Sequence, residues 1–415
     1  MTADLPSEVT VELDAAELGP PLLIGTLRRV SSPSGPLVAF AYDEAWTART
    51  GAFPIDPSHG LYPGDQFPRQ GEGMAPIFTD AAPDRWGRTL LDRREAGAAR
   101  IEGRRQRHLG EWEYLLHVAD ASRMGALRFR DADGGYLSEF APSVPPMTRL
   151  RELEAAVREL EHPAPSSRPA AQHLALLLAP GSSLGGARPK ATYLGDDGGL
   201  WMAKFPSRND TRDMAVCEWV LNELAGAAGI RVPEHRLLAL GPGHRTFAAR
   251  RFDRSDDSRR LYASAMTMLS RRDREPGSYP ELALAVADHG PRGRIDPELE
   301  QLFRRLVFNV LSSHRDDHLR NHGFLRTRDG WELAPAFDLN PVPEKPEHEL
   351  AIDEGLHAGD IDLVVETAPY YRLTEAKARQ IVAEVRTALS AWRSVAQQAA
   401  AGNAEVDVLA AALGS

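Results

Sequence analysis

The chain has 415 residues, 42% apolar and 26% charged, with a formal net charge of −10. That length exceeds one ordinary hydrophobic core, so two or three domains or lobes are expected. The acid excess argues against a chain that holds nucleic acid by itself, no apolar run approaches the ~18–20 residues that span a bilayer, and the single cysteine, Cys217, excludes an intramolecular disulfide and a thiolate metal cluster. The N-terminus, MTADLPSEVTVELD, is acidic and lacks the basic-then-apolar pattern of a secretory signal, so the cytoplasm is the expected compartment.

Residues 1–142 read as a β-rich first domain. VTVEL (9–13), PLLIGTLRRV (21–30) and GPLVAFAY (35–42) are strand-like, and SSPSG between the last two predicts a hairpin. A Pro/Gly-rich stretch over 53–83 leads to a helix opened by Pro83 or Asp84, with Trp86, Leu90 and Leu91 on one face. Six arginines, Arg93, Arg94, Arg100, Arg104, Arg105 and Arg107, fall within 15 residues and read as a solvated helix face, with a docking surface as the alternative. APSVPP and HPAPSSRP bracket the helix MTRLRELEAAVRELE and place a domain boundary near 140–146.

Residues 143–255 read as a second domain: a glycine-rich turn, strands, a helix and a further strand pair. The helix, within 210–229, carries Met214, Val216, Val220, Leu221 and Leu224 at helical spacing. Residues 256–415 read as helical. QLFRRLVFNVLSS (301–313) carries Leu302, Phe303, Leu306, Val307, Val310 and Leu311 as one stripe. TEAKARQIVAEVRTALSAWRSV (374–395) reads as one long helix, and the Ala-rich end beyond it is expected to fray.

Phosphoryl transfer needs a carboxylate to orient the acceptor hydroxyl, oxygen ligands for magnesium, a lysine on the phosphates and a loop over them. HRDDHLRN (314–321) matches the kinase catalytic-loop pattern H-R-D-x-x-x-x-N, with Asp316 as the catalytic carboxylate and Asn321 as a magnesium ligand. Seventeen residues beyond Asn321, in LAPAFDLNPVP, Asp338 stands where a second magnesium ligand is needed. Lys204 ends the apolar strand LWMAKF and would reach the phosphates; Glu218, or Glu223 on another face of the same helix, would pair with it. Upstream, GSSLGGARPKA offers Gly185 and Gly186 for close backbone approach and Arg188 and Lys190 for charge. It is neither a Walker A sequence nor the usual kinase glycine loop. Ser182 and Ser183 set hydroxyls in it where a kinase could phosphorylate itself. His314 and His318, four apart, raise a zinc reading, but Arg315 stands where the zinc-protease pattern requires Glu.

These segments together resemble the HipA-type serine/threonine kinase toxins of bacterial type II toxin–antitoxin systems. SSLGGARPKA resembles the family's glycine-rich loop, MAKF its ATP-lysine strand, ARRFDR its hinge, and SHRDDHLRNHGFL with APAFDLNPV its catalytic pair; FTDAAPDRWGRTLL resembles its N-terminal domain. The resemblance implies an α+β, protein-kinase-like (phosphoinositide-kinase-like) two-lobed fold with a β-rich N-terminal subdomain and an all-helical C-terminal lobe. It implies ATP and Mg2+. Nucleotide contacts are implied at Gly185, Gly186, Ala187, Arg188, Pro189, Lys190, Lys204, Arg250, Arg251, Phe252, His318, Asn321, Phe337 and Asp338. Autophosphorylation is implied at Ser183, with Ser182 beside it. It also implies a protein acceptor in translation, such as an aminoacyl-tRNA synthetase, and a helix-turn-helix antitoxin of HipB type that would carry operator DNA binding. Arg250, Arg320 and Phe337 depart from the family's usual Glu, Lys and Tyr. Two rivals remain: a corepressor acting through an antitoxin, and a small-molecule phosphotransferase of the aminoglycoside-kinase kind.

Overall fold

The computed structural model describes residues 5–33, 35–137, 144–161, 174, 176–177, 186, 188–255 and 258–414. The chain forms two compact units, one of residues 1–203 with 253–263 and one of 204–252 with 264–415.

The first unit opens with an antiparallel sheet of β1 (Glu8–Leu13), β2 (Leu22–Ser32), β3 (Gly35–Tyr42), β4 (Asp65–Gln66) and β5 (Leu127–Arg130), in the order β4-β3-β2-β1-β5. Along β1, Val9, Val11 and Leu13 are buried and alternate with more exposed residues, the period-two pattern of a sheet with one covered face. The β2–β3 hairpin closes with Ser32 opposite Gly35, where the sequence places its turn. Helix α1 (Arg85–Ile101) starts because the Asp84 carboxylate accepts the Gly87 amide at 2.8 Å. Trp86, Leu90 and Leu91 are buried along it. Several of the clustered arginines have internal partners: Arg104 meets Glu95 at 2.5 Å, and Arg93 donates to the Leu160 carbonyl at 3.1 Å.

Strands β6 (Lys190–Leu194) and β7 (Leu200–Lys204) follow. The returning segment 253–263 is anchored within the first unit by the end of the ARRFDR motif. Buried Asp253 accepts the Gly125 amide at 2.8 Å, and Arg254 donates to the Arg123 carbonyl at 2.7 Å. Arg123 is itself fully buried and donates to three carbonyls, those of Ala81, Leu115 and Val118.

In the second unit, helix α2 (Met214–Ala227) is capped by Asp213 and ends before Gly229, which sits at φ +76°. Its buried face includes Val216, Val220, Leu221 and Leu224. β8 (His235–Leu238) pairs with β9 (Thr246–Arg250). Helix α3 (Ile295–Leu311) begins earlier than the apolar stripe suggests, because Asp296 and Glu298 in its first turn suit the positive end of the helix dipole. Leu299, Leu302, Phe303, Leu306 and Val307 on it are wholly buried. At about 1.5–3 kcal/mol per side chain removed from water, this stripe makes α3 a rigid base for the loop that follows it.

Three differences from the sequence pattern stand out. A hairpin, Gly323–Arg326 with Trp331–Leu333, lies among the helices of the C-terminal half. The long helix expected over 374–395 is two, Glu375–Leu389 and Trp392–Gln398. At the break, the Ser390 hydroxyl donates to the Thr387 carbonyl at 2.7 Å, a local bond that competes with helical continuation. The Ala-rich end is an ordered helix, Asn403–Leu413, because Leu409 and Ala412 are buried and Glu405 takes both the Gly402 and the Asp213 amides. No helix among the described residues is long and apolar enough to cross a membrane.

Candidate active site

The second unit gathers the phosphotransfer candidates on elements far apart in sequence. Lys204, at the end of β7, places its Nζ 2.5 Å from Glu218 Oε1 and 2.6 Å from Asp338 Oδ1. The lysine side chain is only 7% exposed. Burial alone would lower its pKa; the two carboxylates, Asp338 foremost, outweigh that and raise it, so the ammonium stays charged. Helix α2 presents Glu218 inward, while Glu223, one and a half turns on, lies 3.0 Å from His235 instead. Asp338 sits at φ +61°, in the left-handed region that aspartate enters more readily than most non-glycine residues.

The loop 314–321 leaves α3 through Ser313, also left-handed at φ +50°. Asp316 is half exposed and is met by the ammonium of Lys345. Asn321 is buried. Its Nδ2 donates to the Asp316 carbonyl at 3.0 Å, and its Oδ1 is buried with no hydrogen-bond partner. Buried His314 ties this loop to the segment after Asp338: its Nδ1 lies 2.8 Å from the Asn340 carbonyl.

Under the loop lies a polar network that the sequence motifs did not single out. Asp317, 1% exposed, accepts from the Tyr279 hydroxyl, from Asn309 Nδ2 at 3.0 Å and from His322 Nε2 at 2.6 Å. Burial pushes the Asp317 carboxyl up, but His322, His314 and the Tyr279 hydroxyl pull it further down, below the usual carboxylate range. The only sequence signal for this network was the doubled aspartate of HRDDH, which does not say which of the two faces inward.

The remaining expected residues are distributed as follows. The Phe252 and Phe337 rings pack together with centroids 5.5 Å apart. Arg251 is buried, and Arg250 lies 3.6 Å from Glu234. His318 keeps a buried Nδ1 with no hydrogen-bond partner, and Arg320 pairs with Asp273 at 3.3 Å. Within the first unit, Lys190 is buried 2.9 Å from Asp84, Gly186 has φ +99°, Pro189 is buried and Arg188 is partly exposed. Gly185, Ala187, Ser182 and Ser183 lie outside the described residues.

A family model described as the HipA-like C-terminal domain matches residues 182–392, a span that begins at the glycine-rich segment and includes Lys204, Asp316, Asn321 and Asp338. The chain belongs to the HipA-like family. Among solved structures it is similar to HipA of a Shewanella oneidensis MR-1 toxin–antitoxin system, in a complex with HipB and operator DNA. The TM-score is 0.65 at 17% identity, over 98% of this chain and 96% of that one. The likeness fixes the fold as the α+β, kinase-like fold of HipA. A Helicobacter pylori proinflammatory kinase, CtkA, matches at a TM-score of 0.40 and 14% identity, over 56% of this chain and 91% of that one. A search of curated proteins finds no match.

The HipA-like site fits a magnesium ion. Hard magnesium takes oxygen ligands and commonly only one or two from protein, the rest being phosphate oxygens and water. The orphaned Oδ1 of Asn321 and the carboxylate of Asp338 are such a set. Among the described residues, no group of three or more His, Cys, Asp or Glu is placed to hold a metal ion.

Proposed function

We propose that this HipA-like chain is an ATP- and Mg2+-dependent serine/threonine protein kinase, acting as the toxin of a type II toxin–antitoxin pair. The observation that carries the reading is the pairing of buried Lys204 with buried Glu218 and part-exposed Asp338, in the same compact unit as the Asp316–Asn321 loop. Lys204 would hold the nucleotide phosphates. Asn321 and Asp338 would ligate magnesium, which when bound neutralises phosphate charge. Asp316 would orient the acceptor hydroxyl and take its proton; positioning and electrostatics are what this chemistry requires. The acceptors in this reading are a protein of the translation machinery, such as an aminoacyl-tRNA synthetase, and the chain's own Ser183 or Ser182. A HipB-type antitoxin is the proposed partner, and operator DNA would be reached through it; the solved HipA complex with HipB and DNA supports this.

The test is incubation of the purified chain with γ-labelled ATP and Mg2+, followed by phosphopeptide mapping. Label is expected on Ser183 or Ser182, and Asp316→Asn should reduce transfer by about 10³-fold, within the range for loss of a general base. Full transfer by Asp316→Asn would remove the assignment. The same solved complex favours one second reading, a corepressor. Operator binding by an antitoxin complex that survives Asp316→Asn, with no toxicity from the wild-type chain, would select it.

A further inference from the structure

We propose that Lys345 is a further catalytic residue of this site, orienting Asp316 and stabilising the charge on the phosphoryl group as it moves to the acceptor. This rests on the phosphotransfer reading above. Among the described residues, Lys345 is the sole cation in contact with Asp316. The other cations nearby are engaged elsewhere: Lys204 with Glu218 and Asp338, Arg320 with Asp273, and Arg315 with the carbonyls of Pro343 and Lys345.

The segment bearing Lys345 is fixed from both sides. The Val342 amide donates to the Ser313 carbonyl at 2.8 Å, the Glu349 amide to the Arg315 carbonyl at 3.2 Å, and the Leu350 amide to the Asp317 carbonyl at 3.2 Å. Arg315 donates in return to the Pro343 carbonyl at 3.1 Å and to that of Lys345. Residues 342–350 are thus laced to Ser313, Arg315 and Asp317, so the backbone that carries Lys345 is not a free surface arm. Its ammonium also lies 3.5 Å from Glu349 Oε2. A half-exposed ion pair stabilises a fold only slightly. Beside a reacting hydroxyl, the same cation acts on transition-state charge.

The step runs as a displacement. The acceptor hydroxyl oxygen bonds to the γ-phosphorus, the bond from that phosphorus to the β–γ bridging oxygen breaks, and its electron pair leaves with ADP. The hydroxyl proton passes to Asp316. As Asp316 takes that proton its hold on Lys345 weakens, and the ammonium turns to the oxygens of the moving group.

The experiment compares full-length wild type, Lys345→Met, Lys345→Arg and Asp316→Asn in Mg2+ and ATP. Transfer to the chain itself and hydrolysis to water are measured, with the Kd for a non-hydrolysable ATP analogue and the thermal midpoint. Lys345→Met is expected to lower kcat by about 30- to 100-fold, near the lower range for loss of one transition-state donor, with Kd and midpoint unchanged. Lys345→Arg should recover part of the rate. A Lys345→Met kcat within about two-fold of wild type, or above it, overturns the proposal while Asp316→Asn still tests the parent reading. Wild type without any transfer or hydrolysis overturns both.

Discussion

Asp316 and Asp317 are consecutive in the chain and face opposite environments. The Asp316 side chain is 52% exposed and meets one cation, the Lys345 ammonium. The Asp317 side chain is 1% exposed and meets a tyrosine, an asparagine and a histidine from three different segments. The contrast separates two jobs that one short loop must do. Its outer face exposes a carboxylate, and its inner face ties the loop to Tyr279, Asn309 and His322 through a buried polar network.

That division predicts opposite phenotypes. The largest effect is expected for Asp316→Asn, about 10³-fold in phosphotransfer, with unfolding free energy within about 0.5 kcal/mol of wild type, as for an exposed substitution. A denaturation curve beside the transfer assay checks both halves. Asp317→Ala should reverse the pattern. Removing one member of a buried charged network costs about 3–5 kcal/mol, visible as a lower denaturant midpoint. A stable Asp317→Ala chain would show that the inner face is not structural.

Acid should expose the buried side next. His348 is buried, and burial pushes its pKa down to about 4. The unfolded chain then binds its proton more readily than the folded one. Stability is complete above the unfolded value near ~6.5 and falls as pH drops from there towards about 4, by on the order of 3 kcal/mol from this group. His348→Phe should flatten stability over that window in a pH series of melts. Asp317, held below its usual range, adds a loss of the same sign only below about pH 4, the unfolded carboxylate value.

The smallest contrast lies within α2. Glu218→Gln should cost about 1–3 kcal/mol, because Lys204 is left buried with one fewer charged partner, and should weaken nucleotide binding. Glu223→Gln, half exposed beside His235, should stay within about 0.5 kcal/mol and leave nucleotide binding alone. Equal effects in parallel titrations would erase the distinction between the two faces.

Much of this architecture was readable along the chain. The strands of the first sheet, the cap at Asp84 and the stripe of α3 follow from local periodicity and capping chemistry. The break at Ser390 and the docked final helix were not readable, since one depends on a local side-chain bond and the other on a glutamate reaching 192 residues back. Residues of the site were legible where a motif ties them to near neighbours, as in 314–321.

The sequence by itself determined the chemistry on offer: the HRDDHLRN loop, the aspartate that follows it and the lysine that ends an apolar strand. Only the tertiary structure decided the partners. Asp338 reaches Lys204 across 134 residues, Glu218 rather than Glu223 faces that lysine, Asp317 turns inward, and Lys345 meets Asp316. The physical reason is range. Capping, periodicity and loop motifs act over a few residues, whereas burial and charge pairing depend on which distant segments packing brings together.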